Sequence, residues 1–183
     1  MDIHKDILEG CIKGESSAQR KLFDSYSRLM LGVCNRYTIN IEEAEDIMQE
    51  GFVKIFLNIK EFKGDGSIVA WMRRIMINTA ITHYHKMKKH RYHDDLDEVK
   101  ETKFDDCVWE DSDFTREELY NVIHRMPEGY RMVFMLYAVE GYKHREIAEI
   151  LGIDENTSKS QFSRARKWLQ ERLIKIKESE KRR

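Results

Sequence analysis

Apolar residues recur along most of the chain at spacings of three and four, the period of a helix with one buried stripe, and nothing reads as strand. Ile3 to Ile12 is a short amphipathic segment that Gly14 breaks. Ser17 to Tyr37 then carries Leu22, Phe23, Tyr26, Leu29, Met30, Val33 and Tyr37 as a second stripe. Asn40 and Glu43 have capping-box spacing, with asparagine as the cap, and open a third helix from Ile41 to about Ile59. Its core positions are Ile41, Ala44, Ile47, Met48, Phe52, Ile55, Phe56 and Ile59, and its other face presents Asp46, Gln49, Glu50 and Lys54. A glycine-containing loop, Phe62 to Ser67, leads to a fourth helix with Ser67 as candidate cap. Val69, Met72, Ile75, Met76, Thr79 and Ile81 form its core side. Trp71, Asn78, Thr82, Tyr84 and several cations lie elsewhere on it, although a lone tryptophan is first of all a large buried hydrophobe.

The pattern sharpens near the C-terminus. Thr115 and Glu118 make a capping box. His144 to Leu151 places Ile147, Ala148 and Leu151 on one face, and Gly152 supplies the left-handed residue that ends the helix. Ile153 plugs the corner and Asp154 is a cap for a second helix, whose buried seam is Phe162, Ala165, Leu169, Leu173 and Ile176. Opposite the seam lie Asn156, Thr157, Ser160, Arg164 and Lys167, flanked by Lys159 and Ser163. Hydroxyls, an amide and cations are the groups that bond base edges and neutralise phosphates, so the corner reads as a helix-turn-helix. The plainer alternative is a helical hairpin with a solvated basic face.

Composition narrows the class. With 183 residues, 36% of them charged, one proline and nine glycines, the chain suits an all-α protein of one or two domains. No apolar run approaches the roughly 20 residues of a membrane span, and the N-terminal residues lack a signal-peptide core, so no membrane insertion and a cytoplasmic location are expected. Cys11, Cys34 and Cys107 are scattered without metal spacing and are expected to stay reduced. His83, His85, His90 and His93 invite a metal reading, but two histidines two apart on a helix splay by about 200°, which favours a basic patch. No metal or cofactor is expected.

The net charge of −1 conceals strong segregation. Ser67 to His93 holds six cations and no acid, Lys159 to Arg183 ten cations against three acids, and Asp94 to Phe114 ten acids against two lysines. Two basic regions are thus joined by an acidic strap that its charge predicts to be flexible.

The run AEDIMQEGFVKIFLNIKEFKGDGSIVAWMRRIMINTA, then MPEGYR, then EIAEILGIDENTSKSQFSRARKWL, resembles the bacterial extracytoplasmic-function sigma factors over about residues 15 to 178. The resemblance implies two helical domains, the second containing the helix-turn-helix, and no catalytic activity. It implies residues 1–90 for core polymerase docking and minus-ten recognition and melting, 91–114 as a linker, and 115–183 for minus-thirty-five recognition. Asp46, Gln49 and Glu50 would dock on the core enzyme. Lys63, Gly64, Asp65, Gly66 and Ser67 would capture a flipped minus-ten base, with Trp71, Arg74, Asn78, Lys86, Lys88 and Lys89 contacting the melted strand. Asn156, Thr157, Lys159, Ser160, Gln161, Ser163, Arg164 and Lys167 would read the minus-thirty-five element. The implied partners are core RNA polymerase, promoter DNA and an anti-sigma factor.

The chain departs from that pattern at four positions. Thr82 and His85 stand where many relatives carry an acid and an arginine, and Ser158 and Gln161 where valine and arginine are usual. A stand-alone helix-turn-helix regulator is the alternative function. An enzyme built on Asp94, Asp95 and Asp97 lacks a partnered histidine or nucleophile at recognisable spacing.

Overall fold

The computed structural model describes residues 5–64, 66–91 and 114–180, and these residues form helices and turns with no strand. The chain divides into two compact units, Met1–Lys89 and His90–Arg183. The acidic strap lies almost wholly outside the described residues, as do Asp65 and Cys107.

The first unit contains α1 (Lys5–Lys13), α2 (Ser16–Cys34), α3 (Ile41–Asn58), a 3-10 turn (Ile59–Glu61) and α4 (Ile68–Arg91). Leu22 and Met30 of α2, Ile47 and Ile55 of α3, and Met72 and Met76 of α4 are sealed from solvent and supply the core. The α3 cap forms as its sequence implies on one side: the Asn40 side chain accepts from the Glu43 backbone N–H at 2.8 Å. The return bond differs from a capping box, because Glu43 reaches the N–H of Ile39, at 3.4 Å, instead of that of Asn40.

Two expected core residues face solvent: Leu29 is 51% exposed and Ile41 42%. The helix period alone puts Leu29 on the apolar stripe. However, α1 has nine residues against nineteen in α2, about 14 Å of cover for about 28 Å of helix. Because α1 turns back at Gly14 beside the start of α2, Leu29 lies beyond its reach. Ile41 is the first residue of α3 and projects past the core.

The α1–α2 hairpin depends on one close approach. A Cβ on Gly10 would fall 2.6 Å from the Ala18 Cβ and 3.0 Å from Glu15 Oε2, and the alanine atom has no rotamer by which to yield. Gly10→Ala is therefore expected to destabilise the protein by about 1–3 kcal/mol, the usual cost of overpacking, read as a lower denaturant midpoint at unchanged slope.

The second unit contains α5 (Arg116–His124), α6 (Glu128–Phe134), a π-helical turn (Met135–Val139), α7 (His144–Leu151) and α8 (Glu155–Glu180). Thr115 and Glu118 form the reciprocal capping box. One side of α8 closes the core through Ala165, Leu169 and Leu173, against Val122 and Met126. Phe162 and Ile176, expected in the same seam, are only half-buried. Arg131, 2% exposed, donates to the carbonyls of His124 at 2.8 Å and Met126 at 3.3 Å. It thereby ties the end of α5 to α6, because the last carbonyls of a helix have no partner within it.

Candidate nucleic-acid and docking surfaces

On α3, Asp46 and Gln49 are exposed while Glu50 is half-buried and bound within the protein. Lys54 Nζ lies 2.8 Å from Glu50 Oε1 and donates to Thr79 Oγ1 on α4 at 3.2 Å. The hydrogen bond from Lys54 holds the Glu50 carboxyl below its usual range against the opposing effect of burial, and the charges of Lys54, Lys86 and His83 add to it. Glu50 thus belongs partly to the α3–α4 packing, whereas Asp46 and Gln49 are open to a partner.

The same face continues with two apolar residues outside the core stripe of α3. Val53 is 57% exposed and Leu57 75%. They follow Asp46 and Gln49 at helical spacings of three and four, so acidic, amide and apolar groups share one stripe. The available signal was that neither residue belongs to the core set of α3.

The loop before α4 is built to be open. Gly64 (φ 79°) and Gly66 (φ 109°) adopt left-handed backbone, and a Cβ at either would meet nothing within 4 Å. The N–H of Gly66 donates to the Gly64 carbonyl at 3.0 Å, and Lys63, Gly64, Gly66 and Ser67 are exposed. Trp71 is half-buried, with its ring centroid 5.7 Å from that of Phe62, so it is neither wholly core nor wholly surface. Arg74 and Asn78 are exposed and share the Trp71 face at spacings of three and four. Lys86 is exposed and Lys88 half-exposed further along the helix, while the side chain of Lys89 lies outside the described residues. A half-covered indole beside an open loop and a row of polar groups can stack a base and hold a strand.

In the second unit α7, Gly152 and α8 form the corner expected from the sequence. Gly152 has φ 61° and ψ 45°, and Ile147, Ala148 and Leu151 are buried. On α8, Asn156 and Lys167 are exposed, whereas Thr157, Ser160, Gln161, Ser163 and Arg164 are half-exposed. Ser160 Oγ donates to the Thr157 carbonyl at 3.0 Å, and an Arg164 nitrogen lies 3.5 Å from the Tyr130 hydroxyl. Lys159 is paired with Glu155 at 2.7 Å, so its charge is locally offset; the bond from Lys159 holds the Glu155 carboxyl down.

Ser158 points inward and is 0% exposed. Its Oγ lies 3.0 Å from Nδ1 of His144, the first residue of α7. Tyr137, from the π-helical turn, stacks on the imidazole at 4.3 Å, and Phe162 meets it edge-on at 5.7 Å. Burial chiefly holds the His144 pKa below the ordinary histidine value; Lys159 adds to this and Glu155 opposes it.

Among the described residues no three His, Cys, Asp or Glu side chains gather as a metal site. Cys11 and Cys34 are free and buried, and burial pushes the Cys34 thiol up to about 12. No helix among the described residues is long and apolar enough to cross a membrane.

Two helical units, one with an acidic–apolar face and an open glycine loop leading into a helix with cations, and the other ending in a helix-turn-helix, define a modular DNA-binding transcription protein. Residues 22–90 match sigma-70 region 2, and residues 116–169 match sigma-70 region 4. The sigma factor SigW of Bacillus subtilis is 31% identical over 172 residues, covering 88% of this chain and 91% of its own. The sigma-E factor of Haemophilus influenzae is 24% identical over 177 residues, covering 91% and 93%. A solved sigma factor, RpoE of Bartonella quintana in complex with the anti-sigma factor NepR, aligns at 20% identity over 86% of this chain and 96% of its own, with a TM-score of 0.48. The chain belongs to the extracytoplasmic-function family of RNA polymerase sigma factors.

Proposed function

We propose that this sigma factor docks on core RNA polymerase through Asp46, Gln49, Val53 and Leu57 of α3, with Glu50 as a rim contact. The observation that carries this is the exposed stripe itself. Leu57 and Val53 leave large apolar surface in water beside groups suited to charge-assisted bonds with a basic partner helix. The loop Lys63 to Ser67 captures a minus-ten base, Trp71, Arg74, Asn78 and the cations that follow hold the melted strand, and the exposed face of α8 reads the minus-thirty-five duplex. The chain carries out no reaction of its own, works inside the cell where the polymerase is, and is regulated by an anti-sigma partner. Residues 1–90 and 115–183 act as its two modules.

Sequencing run-off transcripts made by core enzyme plus this protein on genomic fragments tests the reading. Start sites that share two upstream elements and are missing with core enzyme alone are the expected result. Failure to direct any start, together with a footprint on duplex DNA by the protein alone, would replace it with a self-sufficient regulator.

A further inference from the structure

The helix-turn-helix contains a polar contact that neither its corner nor its DNA-facing side requires. Ser158 is completely buried, and among the described residues its hydroxyl has one hydrogen-bond partner, His144 Nδ1 at 3.0 Å. A buried hydroxyl without a partner destabilises the state that buries it. The pair therefore ties the first turn of α8 to the first residue of α7. Tyr137 lies over the face of the imidazole, almost parallel with 14° between planes, and so restrains the ring whose edge Ser158 bonds. The π-helical turn that carries Tyr137 closes through the bond from the Glu140 N–H to the Met135 carbonyl at 3.1 Å.

We infer that His144, clamped between Ser158 and Tyr137, is a positioning residue that sets the placement of the recognition helix α8 on α7 and makes promoter-duplex binding depend on the imidazole remaining neutral. This rests on the reading of α8 as the minus-thirty-five helix. Ser158 shows no bond to a helix carbonyl, so its proton is placed on Nδ1, which must then accept, with the ring proton on Nε2. A protonated imidazole has donors only. Nδ1–H would then face the hydroxyl, and the hydroxyl proton would be left in the interior with no acceptor among the described residues.

The surroundings favour the same state. From α8, Lys159 repels a charged ring and Glu155 attracts it, while Lys159 is itself bonded to Glu155. From the π-helical turn the facing group is the Tyr137 phenol ring, and on α7 the neighbouring Arg145 adds positive charge near Glu155. The folded-state pKa of His144 is depressed. Its contribution is therefore complete above the ordinary histidine range and is lost as pH falls through the depressed value.

The test uses full-length protein assembled with core polymerase and a promoter fragment recovered by the run-off experiment. Failure of the sigma-factor reading would already show there, as the absence of any such fragment. Duplex affinity of the wild-type holoenzyme is expected to fall about tenfold as pH is lowered through the His144 titration, the scale of one lost buried hydrogen bond. His144→Asn, whose amide is uncharged at every pH, flattens that acid limb. Ser158→Val weakens binding about tenfold and raises the His144 pKa, followed by NMR of the ring protons in the full chain; Ser158→Thr, which keeps the hydroxyl, restores both. An acid limb that persists in His144→Asn, or a His144 pKa unmoved in Ser158→Val, overturns the inference. If Ser158→Val does not fold, the His144→Asn profile and the Ser158→Thr titration decide it.

Discussion

Gln49→Ala combined with Leu57→Asp is expected to lower affinity for core RNA polymerase by about thirtyfold or more, the scale of losing one interface hot spot. Both side chains point into water, and Leu57 is 75% exposed, so the free protein loses almost no packing. Its stability should stay within about 0.5 kcal/mol of wild type. On the proposed docking mode, an aspartate at 57 would place a desolvated charge where the interface buries an apolar group, and alanine at 49 would remove an amide able to bond the partner. Glu50 is left intact because its carboxylate is part of the chain Glu50–Lys54–Thr79 between α3 and α4. Removing it would mix a folding effect with a docking effect. Titration of labelled protein with core enzyme, alongside a thermal melt, separates the two. Unchanged affinity in a normally folded variant would remove this face of α3 from the docking surface.

Deleting Gly64, Asp65 and Gly66 is expected to abolish open-complex formation on a closed promoter and to leave core binding unchanged. Extruding a base costs a few kcal/mol, and the capturing loop must return that energy with backbone and side-chain contacts. The two glycines occupy left-handed backbone that other residues adopt with strain, and they leave open space where a nucleotide can approach the chain. A template with a pre-melted bubble should restore initiation only in part, since it removes the melting cost while base capture is still lost. Permanganate reactivity of promoter thymines reads the result. Normal reactivity with the shortened loop would show that the minus-ten base is held elsewhere.

Short-range rules made much of this protein readable before its structure. Gly152 ends α7 in left-handed backbone because a residue without a Cβ enters that region freely, and its place after Ile147, Ala148 and Leu151 marks the corner. Thr115 and Glu118 cap α5 as their spacing requires, since both partners lie within one helical turn. The polar side of α8 was legible for the same reason: a period of 3.6 assigns faces once the seam is known.

Where several elements meet, the period was insufficient. Leu29 belongs to the stripe of α2 yet is exposed, because the length of α1 decides how much of that stripe is covered. Lys159 counts as a cation in any charge map, but its bond to Glu155 offsets it. In sequence Ser158 is one hydroxyl among several at the start of α8. Its burial and its bond to His144, fourteen positions earlier, exist because the corner folds α8 back onto α7. The helices, their caps and the order of the modules were therefore determined locally, by bonds within a turn and by the spacing of apolar residues. Which charges stay free, which polar groups are sealed and how His144 is held were decided by tertiary packing, because each depends on the distance between residues that are near neighbours only after folding.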